Sequence, residues 1–161
     1  MSWLADYPRR ASLEAAARMA YPSLRYHRTQ RRGGPVHVYE VDVQVPGYET
    51  RHVTVEFREV YYWAPEVFAD GPAGYEASPH RFDTRGYRRL CIWHSDDGDE
   101  RRWLPEDGLL ALFGMIAHHL FKEAWWRETG GREGGEWLGD EYPHDELIDA
   151  DNTASRGDRA S

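Results

Sequence analysis

A chain of 161 residues with one cysteine and a formal net charge of −8 suits one domain, burying roughly two thirds of its unfolded surface. A single cysteine excludes an internal disulfide, and no apolar run approaches the 18 or so residues of a membrane span. The acidic balance argues against a general nucleic-acid binder. The N-terminus has no charged, then apolar, then small-residue export signal, so a reducing cytoplasm is the expected compartment. The charge is unevenly spread: residues 133 to 151 carry eight acids and no Lys or Arg, whereas the first 32 residues set seven arginines against Asp6 and Glu14. Lysine occurs once, at Lys122, against nineteen arginines. A codon or lineage bias explains this; so would a protein carrying an activated acyl group, which benefits from few amines nearby.

In chain order, Asp6 can cap a helix with Pro8 in its first turn, and Pro8 to Ala20 supplies helix formers that stop before Pro22. Its face of Leu13, Ala16, Ala17 and Ala20 leaves Arg9, Arg10 and Arg18 on the other side. Leu24 to Gln30, a Gly33-Gly34 turn and the near-alternating Val36 to Val45 predict a hairpin. Val53, Val55 and Phe57 alternate with Thr54 and Glu56 as a third strand. Val60 to Phe68 gives a fourth, broken by Pro65, which belongs on an edge or a bulge. The expectation is α+β: one helix, then a four-stranded antiparallel meander.

From Ala69 to Arg89 the pattern disappears into 21 residues rich in Gly, Pro and Arg, and loops of that length in compact domains are functional or disordered. Tyr87 to Leu90 is strand-like and leads into Cys91. Ser95 to Arg102 reads as a polar turn. Pro105 opens a helix whose Leu109, Leu112, Phe113, Ile116, Leu120, Phe121 and Ala124 recur at helical spacing as far as Arg127, a core stripe. Gly130-Gly131 ends it, and Trp137 and Tyr142 are placed to pack back on the domain. The domain is expected over 1–144, with an acidic, loose tail over 145–161.

The order of these landmarks resembles the ubiquitin-conjugating enzyme fold over about Tyr7 to Trp126. Tyr61-Tyr62-Trp63-Ala64-Pro65-Glu66-Val67-Phe68 is similar to the family's Tyr-Pro and Pro-Pro strand end. Ser78-Pro79-His80-Arg81-Phe82 retains only the histidine of the family's His-Pro-Asn, eleven residues before Cys91. Leu90-Cys91-Ile92 matches the apolar-Cys-apolar setting of the nucleophile, and Trp103-Leu104-Pro105 is similar to its Trp-Ser-Pro. Trp125-Trp126, Thr129-Gly130, Trp137-Leu138-Gly139 and Pro143-His144 look like the bacterial branch found in anti-phage islands, where such proteins act with a cGAS-like nucleotidyltransferase in cyclic-oligonucleotide signalling.

The resemblance implies that Cys91 carries the C-terminal carboxyl of a protein as a thioester and passes it to an amine. Thiolate attacks well and leaves well, so one cysteine serves both steps. Arg88, Arg89 and His94 are nearby groups that would enrich thiolate. Where the family has its oxyanion-stabilising asparagine this sequence has none, leaving loop N–H groups and, as support, His80. Asp96 and Asp97 lie where family members place an acid that serves the incoming lysine; a solvated turn explains them as well. Arg9, Arg10 and Arg18, with Trp103 and Pro105, are candidates for docking protein partners: a ubiquitin-like modifier or a nucleotidyltransferase C-terminus, and an activating enzyme. No cofactor and no metal are expected. Weaker readings are a metal bound by Cys91, His94 and His118 or His119, a Cys-dependent hydrolase using His80 or His94, and a catalytically silent scaffold of the same fold.

Overall fold

A computed structural model describes residues 2–72, 76–84, 87–94 and 97–139. It is an α+β arrangement: helix α1 (Tyr7–Ala20), a six-stranded antiparallel sheet, and helix α2 (Gly108–Glu128). The strands are β1 (Arg25–Arg31), β2 (Gly34–Gln44), β3 (Thr50–Arg58), β4 (Glu66–Ala69), β5 (Arg81–Thr84) and β6 (Tyr87–Leu90). Their order across the sheet is β1-β2-β3-β4-β6-β5, with every neighbouring pair antiparallel.

The N-terminal helix starts as its residues dictate. Asp6 stays extended and its carboxylate accepts the N–H of Arg9 at 3.2 Å, with Pro8 in the first turn. This satisfies one of the orphan donors of the helix start. The β1–β2 and β2–β3 hairpins follow the sequence alternation. In the register, Tyr39 faces Val55 and Val41 faces Val53, and all four are buried.

The sheet departs from the expected four-stranded meander in two places. Val60 to Phe68 is not one strand: Glu59–Tyr61 forms a single 3₁₀ turn and the strand begins only at Glu66. Pro65, which has no N–H to give a ladder, therefore precedes the strand instead of interrupting it. The stretch expected to be a surface loop from Ala69 to Arg89 contributes β5, while β6 coincides with the strand-like Tyr87 to Leu90. β5 has only four residues, and Arg81 stands where an apolar alternation would have announced a strand.

One core lies between the sheet and α2. Leu109, Leu112, Phe113, Ile116 and Leu120 of α2 meet Tyr39, Val41, Val43, Val53, Val55, Phe57 and Val67 of the sheet. Trp3, Leu4 and Trp103 close one end. Trp3 and Trp103 sit edge-on with centroids 6.4 Å apart, and Phe57 packs 5.6 Å from Trp103. α1 packs on α2. No helix among the described residues is long and apolar enough to cross a membrane. The expected tail, 145–161, lies outside the described residues.

Candidate active site

Cys91 follows β6 directly. Its N–H donates to the carbonyl of His80 at 3.0 Å, extending the β5–β6 ladder one step beyond the Arg81–Leu90 pair. The residue is 7% exposed, and its Sγ–H donates to the carbonyl of Trp93 at 3.5 Å, a bond only the protonated thiol makes. The two arginines before it are directed elsewhere. Arg88 donates to the Ser78 carbonyl at 3.4 Å, and Arg89 lies 3.6 Å from Glu66 with its guanidinium 5.1 Å from the Phe82 ring centroid.

His94 and Asp97 close a turn on the far side of the cysteine. The carboxylate of Asp97 accepts the His94 N–H at 2.7 Å while its own N–H donates back to the His94 carbonyl at 3.1 Å. Asp97 thus holds the backbone that leaves Cys91. Its neighbour Asp96 lies outside the described residues.

His80 is buried, and its surroundings converge on a residue that sequence reasoning missed. Glu123 of α2 is wholly buried. It accepts Arg81 Nε at 2.8 Å on one oxygen and Arg81 Nη2 at 2.6 Å on the other, and Ser78 Oγ donates to the first at 2.6 Å. His119 Nε2 lies 3.5 Å away and Arg127 Nη1 3.8 Å. Burial by itself would raise the Glu123 carboxyl, but Arg81 and His119 beside it prevail and the net shift is downward. Removing one partner of such a buried pair costs roughly 3–5 kcal/mol, since the other charge stays behind. The pattern that could have revealed it is His119, Glu123 and Arg127 at successive four-residue steps, one face of α2.

The chain after α2 folds back onto this cluster. Thr129 Oγ1 donates to the Trp125 carbonyl at 2.9 Å and accepts the Glu136 N–H at 2.7 Å. At Gly135 a Cβ would sit 2.3 Å from the Trp126 carbonyl, so only glycine permits the return. The return stacks Trp137 on the His80 ring, 3.7 Å between centroids, with His119 edge-on to Trp137 at 5.6 Å.

Two clefts flank the cysteine loop, with Ile92 in the wall of both. One, of about 480 Å³, is lined by Trp63, Pro65, Phe82, Trp93 and Trp103, with Arg89 and Arg102. The other, of about 250 Å³, is lined by Asp97, Arg101, Met115, His118, His119 and Lys122. Trp103 is 1% exposed, with its indole N–H donating to the Gly108 carbonyl at 2.8 Å, and Pro105 is buried; Leu104 between them is exposed. Trp103 thus fills the core as well as a cleft wall. Of the three α1 arginines, Arg9 and Arg18 are exposed, while Arg10 is drawn in toward Glu14 at 3.2 Å and lies over the Tyr26 ring at 4.4 Å. Among the described residues no three His, Cys, Asp or Glu side chains gather as a metal site.

Comparison with known proteins identifies no relative: no family model, no curated protein and no solved structure matches the chain.

Proposed function

We propose that the chain has a ubiquitin-conjugating-enzyme fold and that Cys91 is its thioester-forming nucleophile. The observation that carries this is the placement of the chain's sole thiol. Cys91 leaves a strand with its backbone held by His80, next to Ile92, which walls both an aromatic and a basic cleft, at the place where the resemblance in the sequence puts a nucleophile. The helix, the antiparallel strands and the second helix opened by Trp103-Leu104-Pro105 support it by their order along the chain.

The chemistry needs an activated carboxyl, supplied by an activating partner as a thioester or acyl adenylate. Cys91 loses its proton, Sγ bonds to the carbonyl carbon, and the partner's thiolate or AMP departs. An amine then attacks the thioester; the C–N bond forms, the C–S bond breaks, and the leaving sulfur regains a proton. Each tetrahedral intermediate needs donors at its oxyanion. Arg81, which follows His80, is committed to Glu123, so backbone N–H groups around Cys91 are assigned that task. The anticipated setting is anti-phage defence, with a cGAS-like nucleotidyltransferase as the protein whose C-terminus is carried.

Incubation with the cognate activating partner and modifier, or with the nucleotidyltransferase, should give an adduct on non-reducing gels that thiol reductant releases and Cys91→Ala abolishes. An adduct that survives Cys91→Ala refutes the assignment. The burial of Cys91 and its bond to the Trp93 carbonyl favour a second reading, a silent scaffold. That reading requires partner binding indifferent to Cys91→Ala and no adduct in the wild type.

A further inference from the structure

Glu123 lines neither cleft, and two separate chains of contact run from it to the residue that holds Cys91. Along the first, Ser78 Oγ donates to Glu123 at 2.6 Å and accepts the His80 N–H at 3.3 Å, and the His80 carbonyl accepts the Cys91 N–H at 3.0 Å. Along the second, His119 lies 3.5 Å from the same Glu123 oxygen, Trp137 sits edge-on to His119, and Trp137 stacks on the His80 ring. Arg81, the next residue, is clamped bidentately by the carboxylate and also reaches the Ala69 carbonyl at 3.3 Å, tying β5 to the end of β4. Arg132 adds a strut from the returning segment, donating to the Ala77 carbonyl at 3.4 Å.

From this closed circuit we propose that Glu123 is a positioning residue for Cys91. It anchors the 78–81 segment to α2 from both sides of His80, and so sets where the cysteine backbone stands; its bearing on catalysis rests on the reading of Cys91 as the nucleophile. The carboxylate suits the task because a buried anion accepts several strong bonds at once and has no comparable partner to exchange to. A neutral amide at this place offers only one accepting oxygen, and its NH2 must face either Arg81 Nη2 or the Ser78 and Arg81 Nε donors, so at least one of the two Arg81 bonds is lost.

Amide hydrogen exchange tests the proposal without any partner protein. Glu123→Gln should accelerate exchange at the Cys91 amide by about tenfold or more relative to the amides of β3, because the loss is local to the clamp. Ser78→Ala keeps the Arg81–Glu123 pair and should give a smaller selective acceleration, which keeps the test alive if Glu123→Gln does not fold. Val41→Ala, a core truncation outside the circuit that loosens β3 directly because Val41 pairs with Val53, should not raise the ratio of Cys91 to β3 exchange above its wild-type value. The proposal is overturned if the Cys91 amide accelerates no more than β3 in both clamp variants. With the partners added, Glu123→Gln should slow adduct formation by more than Val41→Ala at equal thermal stability; equal slowing would overturn the positioning role. Absence of an adduct in the wild type counts against the thioester reading alone, since the exchange ratio is read independently.

Discussion

Replacing Trp103 by alanine tests whether the end of the cysteine segment is held by the core. Its indole is 1% exposed, packs on Trp3 and Phe57, and donates to the Gly108 carbonyl at the first residue of α2. Truncating a buried aromatic residue to alanine costs about 4 kcal/mol. In a chain of 161 residues that lowers Tm by about 8–16 °C. Trp103→Phe loses the hydrogen bond, worth about 1 kcal/mol, and part of the ring packing, worth about 1 more. Leu104→Ala, at an exposed neighbour, should stay within about 0.5 kcal/mol. Urea unfolding measures all three, and the comparison holds if the variants share the wild-type m value. A Trp103→Ala cost below about 1 kcal/mol would refute the placement of this indole in the core.

Two further outcomes follow from local geometry. His37 is buried between Tyr26, 2.9 Å from its Nδ1, and Glu59, 3.1 Å from its Nε2; burial lowers its pKa and outweighs the raising effect of Glu59. A histidine whose folded pKa is depressed makes the unfolded chain the stronger proton binder, so this group weakens the fold as pH drops below about 6.5. Denaturation midpoints taken from pH 8 to 5 should fall, and His37→Gln should flatten the fall; an equally steep fall in the variant would contradict this. Gly108 adopts φ +79°, and a Cβ there would meet Leu13 Cδ2 at 3.3 Å. Gly108→Ala should cost about 1–3 kcal/mol in thermal or urea unfolding, and an unchanged midpoint would contradict the assigned backbone conformation.

Where periodicity and burial agree, the fold was legible from residues alone. The helix after Asp6, the hairpin across Gly33-Gly34, the Val53-Val55-Phe57 strand and the helix through Leu109 to Ala124 all stand where spacing and caps place them. Even so, α1 buries Glu14 with Ala17 and leaves Ala16 and Ala20 exposed, and β2 buries both faces from Val36 to Tyr39. Of the strands around Cys91, β6 was legible as Tyr87 to Leu90, but β5 was hidden because its buried position at Arg81 is filled by a charge. Arginine is normally a surface residue, and only a buried carboxylate 42 positions later makes its burial tolerable. Glu123 was hidden for the same reason. Within the apolar stripe it reads as a solvent-facing break, and its partners Ser78 and Arg81 come from a stretch with no periodicity. The candidate nucleophile was legible because a solitary thiol among ordered landmarks stands out; the apparatus behind it was not, because long-range charge pairing leaves no periodic trace. Trp103 and Pro105 were visible as landmarks, but their depth depends on Trp3 and Phe57, far away in sequence.

The sheet order leaves β1 at one margin, with a sequence of Arg25-Tyr26-His27-Arg28-Thr29-Gln30-Arg31 and mostly exposed side chains. A free strand margin is a template on which a second molecule can add its own strand. Three arginines spaced along seven residues, two of them ion-paired to Glu59 and Glu56, line that margin with charge in place of apolar side chains. This charged, ion-paired fringe makes the margin a poor template for fibril-like stacking of copies.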